Sequence, residues 1–175
     1  MTIETTHLQL LPYSAHDLLA LLDGVAQFEA RTGFKAADGY GDFIKSDDVS
    51  PEWLAQLRSS ASENANPWIY GFGIAHLESG LVIGTVGFKG PPDEDGMVEI
   101  AYGIVPTFQG KGYATEAAEA AIAFAFNTSN VRVVRAHTLP TNTPSKRVLE
   151  KCRFEYIGET VDPEDGLVLR WERNA

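Results

Sequence analysis

The sequence predicts a mixed α/β fold around a single central, mostly antiparallel sheet. Residues 68–89 contain two short β-rich runs separated by Glu78-Ser79-Gly80, a pattern typical of a hairpin. A strand, a buried helix and a second strand follow within residues 97–138, and such a βαβ unit holds its two strands in parallel. Two more strands follow within residues 154–171. This order indicates one sheet that contains one parallel βαβ unit.

The N-terminal third predicts a strand and two helices. Apolar and polar residues alternate over Leu8–Pro12, which predicts a short strand ending at the proline. A serine N-cap opens a helix over Ala15–Leu22, and Ser-Pro-Glu at 50–52 opens a second helix that ends at about Ser60. Residues 33–48 are rich in Gly and Asp without a period, so we expect a loop there.

The middle of the chain predicts strands. Trp68–Ala75 and Leu81–Lys89 form the expected hairpin, and residues 91–96 form a turn that carries three carboxylates. In the strand over residues 97–105, apolar residues alternate with small ones, so that one face is apolar. Glu99 is the single carboxylate on the small-residue face.

The remaining elements alternate between helix and strand. The segment from Gly112 to about Asn127 is nearly all alanine and aromatic, which predicts a mostly buried helix. Val131–His137 is β-branched and predicts the next strand. Thr143-Pro144 opens a helix that ends at about Cys152, and two strands, Phe154–Glu159 and Leu167–Trp171, complete the chain.

Charge is unevenly distributed along the chain. The 175 residues, roughly enough for one domain, carry 14 basic and 24 acidic side chains, a net charge of −10. This excess argues against a general nucleic-acid or anionic-membrane binder. Residues 107–153 nevertheless hold seven basic groups and three acidic ones, so this segment is +4 and the remainder is −14. We expect a charged ligand at the positive segment; a chance clustering is the alternative.

The compartment follows from what the sequence lacks. A single cysteine, Cys152, excludes an internal disulfide framework and fits a reducing environment. Residues 1–13 have neither the basic nor the apolar region of a signal peptide, and the longest apolar stretch, 120–126, is too short to span a bilayer. We therefore expect a cytoplasmic protein that does not bind membranes.

A glycine-rich turn joins the strand at 97–105 to the buried helix. It comprises Gln109, Gly110, Lys111, Gly112, Tyr113, Ala114 and Thr115. The glycines let several backbone N–H groups converge on one point, and the N-terminus of the helix adds partial positive charge. This arrangement predicts a cradle for an anion, most naturally a phosphate. A plain strand-to-helix turn is the alternative.

Two common phosphate-binding motifs do not fit this turn. A Walker-type loop needs a glycine where Val105 stands and Ser or Thr where Gly112 stands. A dinucleotide fingerprint needs Gly or Ala where Thr115 stands and an acidic residue in the region of Arg132 and Arg135. Neither a P-loop nor a dinucleotide-binding half is therefore expected.

The turn resembles the pyrophosphate motif of the GNAT superfamily of N-acetyltransferases. Gln109-x-x-Gly112-x-Ala114 is similar to that family's R/Q-x-x-G-x-G/A signature. Glu99-Ile100-Ala101-Tyr102 before it, and Asn142-x-x-Ser145-x-x-Val148-Leu149-Glu150-Lys151 after it, resemble the branch that includes the ribosomal-protein N-terminal (alanine) acetyltransferases. The resemblance spans roughly residues 68–160.

The resemblance implies a function for the whole chain. It implies a single acyl-CoA N-acyltransferase domain over residues 1–175, with a helical, substrate-side part at 1–66 and a sheet and CoA-binding part at 67–175. It implies acetyl-CoA as acyl donor, no metal, and direct transfer in a ternary complex to a primary amine, either a peptide N-terminus or a small amine. The protein is then a monomer or homodimer without nucleic-acid partners. A catalytically silent acyl-CoA-binding or sensing module on the same fold is the alternative.

The resemblance also implies which residues hold coenzyme A. The glycine turn takes the pyrophosphate, an asparagine holds the pantetheine between the two parallel strands, and a backbone N–H of the first of these strands polarises the thioester carbonyl. Basic residues of the turn and the last helix suit the remaining phosphate. The residues so implied are Ile104, Val105, Gln109, Gly110, Lys111, Gly112, Tyr113, Ala114, Thr115, Asn142, Lys146 and Arg147.

Acetyl transfer to an amine requires a base and an acid. Glu99 is the first candidate for the base, with a solvated or ion-paired carboxylate as the alternative, and Glu164 is the second candidate. Many relatives use a tyrosine as the acid at the position that Leu149 occupies here. We therefore expect Ser145 to replace it; a first-turn serine that satisfies backbone groups is the alternative.

Three other positions affect the prediction less. His137 is interpreted as a packing residue and Cys152 as a core residue rather than a nucleophile. The family's Gly-Phe pair after the last helix is Arg153-Phe154 here. This departure affects how tightly that helix ends.

Overall fold

The computed structural model describes residues 1–43, 50–59, 62–128 and 130–175. Their strands form one sheet in the order β1-β2-β4-β5-β6-β7-β9-β8, with β3 beside β5. The strands are β1 Ile3–Glu4, β2 Leu8–Pro12, β3 Lys35–Ala36, β4 Phe72–His76, β5 Leu81–Phe88, β6 Met97–Ile104, β7 Val133–Thr138, β8 Glu155–Asp162 and β9 Gly166–Asn174. The helices are α1 Ala15–Asp23, α2 Val25–Thr32, α3 Pro51–Ser59, α4 Pro67–Tyr70, α5 Tyr113–Phe126 and α6 Thr143–Lys151.

The predicted fold class is confirmed. Neighbouring strands of the sheet are antiparallel except for β6 with β7 and the short β3 with β5. The β6–β7 pairing is the parallel pair expected from the βαβ unit, with α5 as its crossover helix. The parallel pairing of β3 with β5 was not predicted, since a two-residue strand leaves no periodic pattern.

The buried helix α5 forms the centre of the βαβ unit, as its composition predicted. Four alanines and Ile122 on α5 are almost completely excluded from solvent. Small side chains let the helix approach the sheet closely, and it contacts β2, β5 and β6. At its C-terminal part, Phe124 packs against Trp68 and Phe88. The helix is therefore held in place by buried alanines along its length and, near its C-terminal end, by the ring of Phe124.

The N-terminal part differs from the prediction in its irregular segments. Helix α1 begins as expected, with Ser14 and Asp17 forming a reciprocal capping box. Helix α2 was not predicted, because its apolar face is narrow and buries fully only Phe28. The predicted loop at 33–48 contains β3 and a 3₁₀ turn, Tyr40–Phe43, and its remainder at 44–48 lies outside the described residues.

Helix α3 is confirmed, and one predicted strand is corrected. The Ser50 hydroxyl accepts a hydrogen bond from Trp53 N, as an N-cap does. The predicted end of the helix at Ser60 lies outside the described residues. Trp68 was expected to open a strand and instead lies in α4. The side chain of Asn66 caps this helix and a proline occupies its first position, so local capping outweighs the β propensity of the following aromatic residues. The remaining strands deviate by a few residues at their ends.

The last helix ends tightly in spite of Arg153. This residue adopts a left-handed conformation, φ 61°. Its N–H bonds Glu150 O at 3.0 Å, and the N–H of Phe154 bonds Leu149 O at 2.9 Å. These two bonds are those of a Schellman motif. Arginine therefore occupies a backbone position that favours glycine, at some cost in conformational energy.

The strain at Arg153 is testable by substitution. The free energy of unfolding of Arg153→Gly should exceed that of Arg153→Ala by about 1 kcal/mol. Both variants remove the arginine side chain, but only glycine relieves the strain of the left-handed conformation. Urea titration followed by circular dichroism measures the difference. Equal stability of the two variants would contradict a backbone origin.

Candidate active site

The parallel strands β6 and β7 part soon after they meet. They pair only from Met97 with Val133 to Glu99 with Arg135. Beyond that point β6 continues beside β5 and β7 continues beside β9. Between them lies a cleft of about 160 Å³. It is lined by Lys89, Glu99, Ile100, Ala101, Tyr102, Ala136, His137, Asn142 and Ser145.

The free edge of β6 borders this cleft. Lys89 N bonds Glu99 O, and Val105 N bonds Ile83 O at 2.8 Å, so alternate residues of β6 bond toward β5. The intervening residues Tyr102 and Ile104 therefore direct their backbone groups toward the β7 side. The Val105 N–H is donated to Ile83 O, so of the two expected backbone groups only the Ile104 N–H faces the β7 side.

Glu99 lies at the point where the strands part and has two partners. Its Oε1 is 2.8 Å from His137 Nδ1 and 3.0 Å from Lys89 Nζ. Arg170 Nε donates to His137 Nε2 at 3.1 Å, so the remaining ring proton of a neutral His137 is on Nδ1, directed at Glu99. Glu99 is therefore ion-paired, which is the alternative given above for this carboxylate. It also lines the cleft, as a base would.

The partners of Glu99 determine its charge. Burial by itself raises the pKa of this carboxyl group, but the hydrogen bonds from His137 and Lys89 outweigh burial and hold the pKa below its ordinary value. The ion pair acts in the opposite sense on Lys89, whose pKa is raised in spite of partial burial. Glu99 is therefore a carboxylate and Lys89 an ammonium at neutral pH.

A hydroxyl pair lies across the cleft from Glu99. Tyr102 OH and Ser145 Oγ are 3.0 Å apart. Burial raises the pKa of Tyr102 to about 12, so the phenol keeps its proton. Leu149, at the position of the relatives' tyrosine, is completely buried in the core and does not line the cleft.

The glycine turn has the backbone of an anion cradle. Gly110 and Gly112 are left-handed, at φ 75° and 86°, and a Cβ on either would meet open space. The first hydrogen bond of α5 is donated by Glu116 N to Gly112 O. Within the described part of the chain, the N–H groups of residues 110–115 have no acceptor. Such a run of free N–H groups at a helix start suits a phosphate.

The residues around the cradle are placed as follows. Gln109 Nε2 donates to Ile104 O at 2.8 Å and ties the turn to β6. Lys111 lies over the Phe108 ring, and Tyr113 OH contacts His76 Nε2 at 2.9 Å. Ala114 and Thr115 form the first turn of α5.

On helix α6, Asn142 is the N-cap and its side chain accepts from Ser145 N at 3.2 Å. Lys146 and Arg147 follow in the first turns of this helix, and the described residues contain no ion pair to either of them. These two cations are therefore available to an anion.

Sequence reasoning missed three residues of the cleft. His137 was interpreted as a packing residue. Arg135 pairs with Glu99, and His137 lies two positions further along β7, so its side chain lies on the same face of the sheet as that of Glu99. Tyr102 belongs to the segment that resembles the family, but its place on the apolar face of β6 indicated a core residue. Lys89 follows β5 and no local pattern marked it. Glu164, the second candidate base, lies exposed in the β8–β9 turn and does not line the cleft.

The described helices and side-chain clusters add two negative findings. No described helix is long and apolar enough to cross a membrane. Among the described residues, no group of three or more His, Cys, Asp or Glu side chains is placed to hold a metal ion.

Solved structures share this fold across the whole chain. Ribosomal-protein-S5-alanine acetyltransferase from Vibrio fischeri superimposes with a TM-score of 0.65 at 17% identity, over 99% of this chain and 96% of that one. RimL, a ribosomal L7/L12 alpha-N-protein acetyltransferase in complex with coenzyme A, gives 0.68 at 16% identity, over 99% and 98% of the two chains.

Sequence comparison identifies the family. The chain is 37% identical over 93 residues to the uncharacterized N-acetyltransferase p20 of Bacillus licheniformis, a match that covers 53% of this chain and 52% of that protein. The chain spans about half the length of the curated relatives that it matches. The family model described as the acetyltransferase (GNAT) domain matches residues 7–155. The chain therefore belongs to the GNAT acetyltransferase family.

Proposed function

We propose that this protein is an acetyl-CoA-dependent N-acetyltransferase that acts on a primary amine by direct transfer in a ternary complex. One observation carries the proposal. A cradle of free N–H groups follows directly on a strand whose unpaired edge borders a cleft, and that cleft holds a carboxylate and a hydroxyl pair. Anion binding, a carbonyl-polarising edge, a base and an acid are then contiguous in the fold.

The chain offers a complete set of groups for coenzyme A. The N–H groups of residues 110–115 suit the pyrophosphate, and Lys111, Lys146 and Arg147 suit the remaining phosphate. Asn142 and the unpaired edge of β6 suit the amides of the pantetheine. Ile104 N–H is the group that we assign to the thioester carbonyl, where a fixed donor stabilises developing negative charge.

Glu99 is the group that we assign to removal of the proton from the acceptor ammonium. Because its pKa is lowered, this carboxylate keeps its charge across the neutral range and can accept a proton there. His137 holds Oε1 in place and Arg170 in turn holds His137. His137 and Arg170 are positioning residues in this scheme, since neither is assigned contact with the reacting atoms.

The Tyr102–Ser145 pair is the group that we assign to protonation of the departing thiolate. Two hydroxyls in contact can pass a proton along the pair, so that the proton given up by one is replaced by the other. Tyr102 thereby supplies a phenol from β6, where many relatives supply one from the last helix.

A peptide N-terminus is the acceptor that we favour over a small amine. Structures that share the fold over almost the whole chain are named as acetyltransferases of ribosomal proteins. The cleft is also open to solvent on the side of Lys89, whose side chain is about half exposed, so a chain leading away from the amine is accommodated.

Coenzyme A should stabilise the protein through the cradle. Saturating coenzyme A at about 100 times Kd should add about 2.7 kcal/mol to the free energy of unfolding and raise Tm accordingly.

Lys111→Glu should weaken binding of coenzyme A, and more so at low salt than at high salt, because the effect is electrostatic. Thermal melts across a salt series measure both; Lys35→Glu, far from the turn in sequence, serves as the control. A shift with ATP or NAD but none with coenzyme A would refute the proposal.

Removing the base should separate catalysis from binding. Glu99→Gln should lower kcat about 10²-fold to 10⁴-fold and leave the coenzyme A melting shift intact, because the amide cannot take a proton. In the wild type, the depressed pKa keeps Glu99 charged below its ordinary titration range. The acid limb of kcat/KM should therefore lie below the ordinary carboxyl pKa. Free-thiol release with a panel of peptides and amines provides the assay.

If no amine or peptide accelerates thiol release over background hydrolysis although coenzyme A binds, the alternative of a silent acyl-CoA sensor replaces the enzyme. A protein that shows no activity with any acceptor has no activity for Glu99→Gln to lower, so the two results cannot both be obtained. The panel therefore decides between the two functions.

The hydroxyl pair should behave as a unit. Ser145→Ala and Tyr102→Phe should each lower kcat about 10²-fold, and the double variant should be little worse than either, because each removes the same relay. KM for acetyl-CoA should change little. Steady-state kinetics on the three variants measure the effect, and simple multiplication of the two losses would contradict a shared proton path.

A further inference from the structure

A primary amine of the chain itself lies in the candidate active site. Lys89 follows β5, lines the cleft with Ser145 and Tyr102, and places its Nζ 3.0 Å from Glu99 Oε1. That is the contact expected of an acceptor ammonium with the base. We infer that Lys89 is a site of self-acetylation, an inference that rests on the proposed function.

The geometry distinguishes Lys89 from other lysines. Its backbone is fixed by a hydrogen bond from Lys89 N to Glu99 O, so the side chain starts at the cleft. The side chain is about half exposed, and its four-carbon stem can move Nζ along the cleft. The free backbone groups on this edge of β6, where the proposed function places the acyl group, are those of Tyr102 and Ile104, and Tyr102 lies three residues beyond Glu99.

The reaction balances without any further reagent. The Lys89 ammonium gives a proton to the Glu99 carboxylate, and the free amine forms a bond to the carbonyl carbon of acetyl-CoA. The carbon–sulfur bond breaks as the nitrogen gives up its second proton, and the thiolate takes a proton from the Tyr102–Ser145 pair. The proton released by the nitrogen restores that pair through solvent. The products are an acetyl-lysine and coenzyme A, and the proton on Glu99 passes to solvent.

The modification would change the site that produces it. Acetylation removes the charge of Lys89 and with it the ion pair to Glu99. Glu99 would keep His137 as its donor and would no longer be neutralised by a lysine from the same cleft. An acceptor ammonium would then meet an uncompensated carboxylate. Self-acetylation is therefore expected to lower KM for a cationic acceptor.

The chain contains a matched control. Lys35 forms an ion pair with Glu29 at 3.1 Å, much like the pair of Lys89 with Glu99, but it lies at β3 and does not line the cleft. Chemical acetylation by free acetyl-CoA treats the two pairs similarly. Acetylation by the active site favours Lys89 alone.

The experiment follows isotope-labelled acetyl-CoA into the full-length protein by peptide mass spectrometry. Lys89 should gain label at least ~10-fold faster than Lys35, because the amine is tethered beside the reacting group. Glu99→Gln should reduce Lys89 labelling to the Lys35 rate, and Lys89→Arg should leave only background label. The rate per molecule should not depend on protein concentration. Equal labelling of both lysines, or a rate proportional to protein concentration, would overturn the inference.

Failure of the inference is distinguishable from failure of the proposed function. If an external amine causes thiol release while Lys89 stays unlabelled, the self-acetylation inference is wrong and the proposed enzymatic function stands. Absence of a coenzyme A melting shift would remove both. Melting curves of Glu99→Gln and Lys89→Arg confirm that each variant is folded before its labelling is compared.

Discussion

The parting of β6 and β7 is the constraint on which the site depends. The two strands share only three residue pairs, from Met97 with Val133 to Glu99 with Arg135. Each strand then satisfies its backbone on its other side, β6 with β5 and β7 with β9. A free sheet edge thus exists in the middle of the sheet, where neighbouring strands protect it from pairing with other chains. Extended substrates can use such an edge without exposing it to aggregation.

The charges around the cleft follow from this geometry. Glu99 stands at the last paired position, so its side chain meets His137 from the adjacent strand and Lys89 from the preceding one. Hydrogen bonds from His137 and Lys89 keep the half-buried carboxylate ionised, where burial alone would favour the neutral acid. On the other side of the cleft, burial preserves the proton of Tyr102. One cleft therefore holds a proton acceptor and a proton donor at neutral pH.

The helix ends complete the arrangement. Helix α5 begins with free N–H groups, as helices do, and the left-handed glycines before it add those of the turn. Gln109 joins that turn to the end of β6. Helix α6 brings Asn142 and Ser145 to the cleft, and its C-terminus closes through Arg153 in the conformation that glycine would favour. The tight end shows that tertiary packing of the buried Leu149 and Phe154 tolerates the arginine.

The sequence by itself determined the fold class, the βαβ unit and the glycine-rich turn before α5, because alternation, helical periodicity and glycine spacing are local signals. It also offered Glu99 and Ser145 as candidates, and both line the cleft. Only the tertiary structure showed that Lys89, Tyr102 and His137 join them, since Lys89 and His137 come from other elements and Tyr102 lies on the opposite face of β6 from Glu99. At Trp68, by contrast, a local signal that the prediction overlooked, the Asn66 cap followed by a proline, decided for helix α4. Chemistry at a strand junction depends on register across neighbours, and register is a property of the folded sheet.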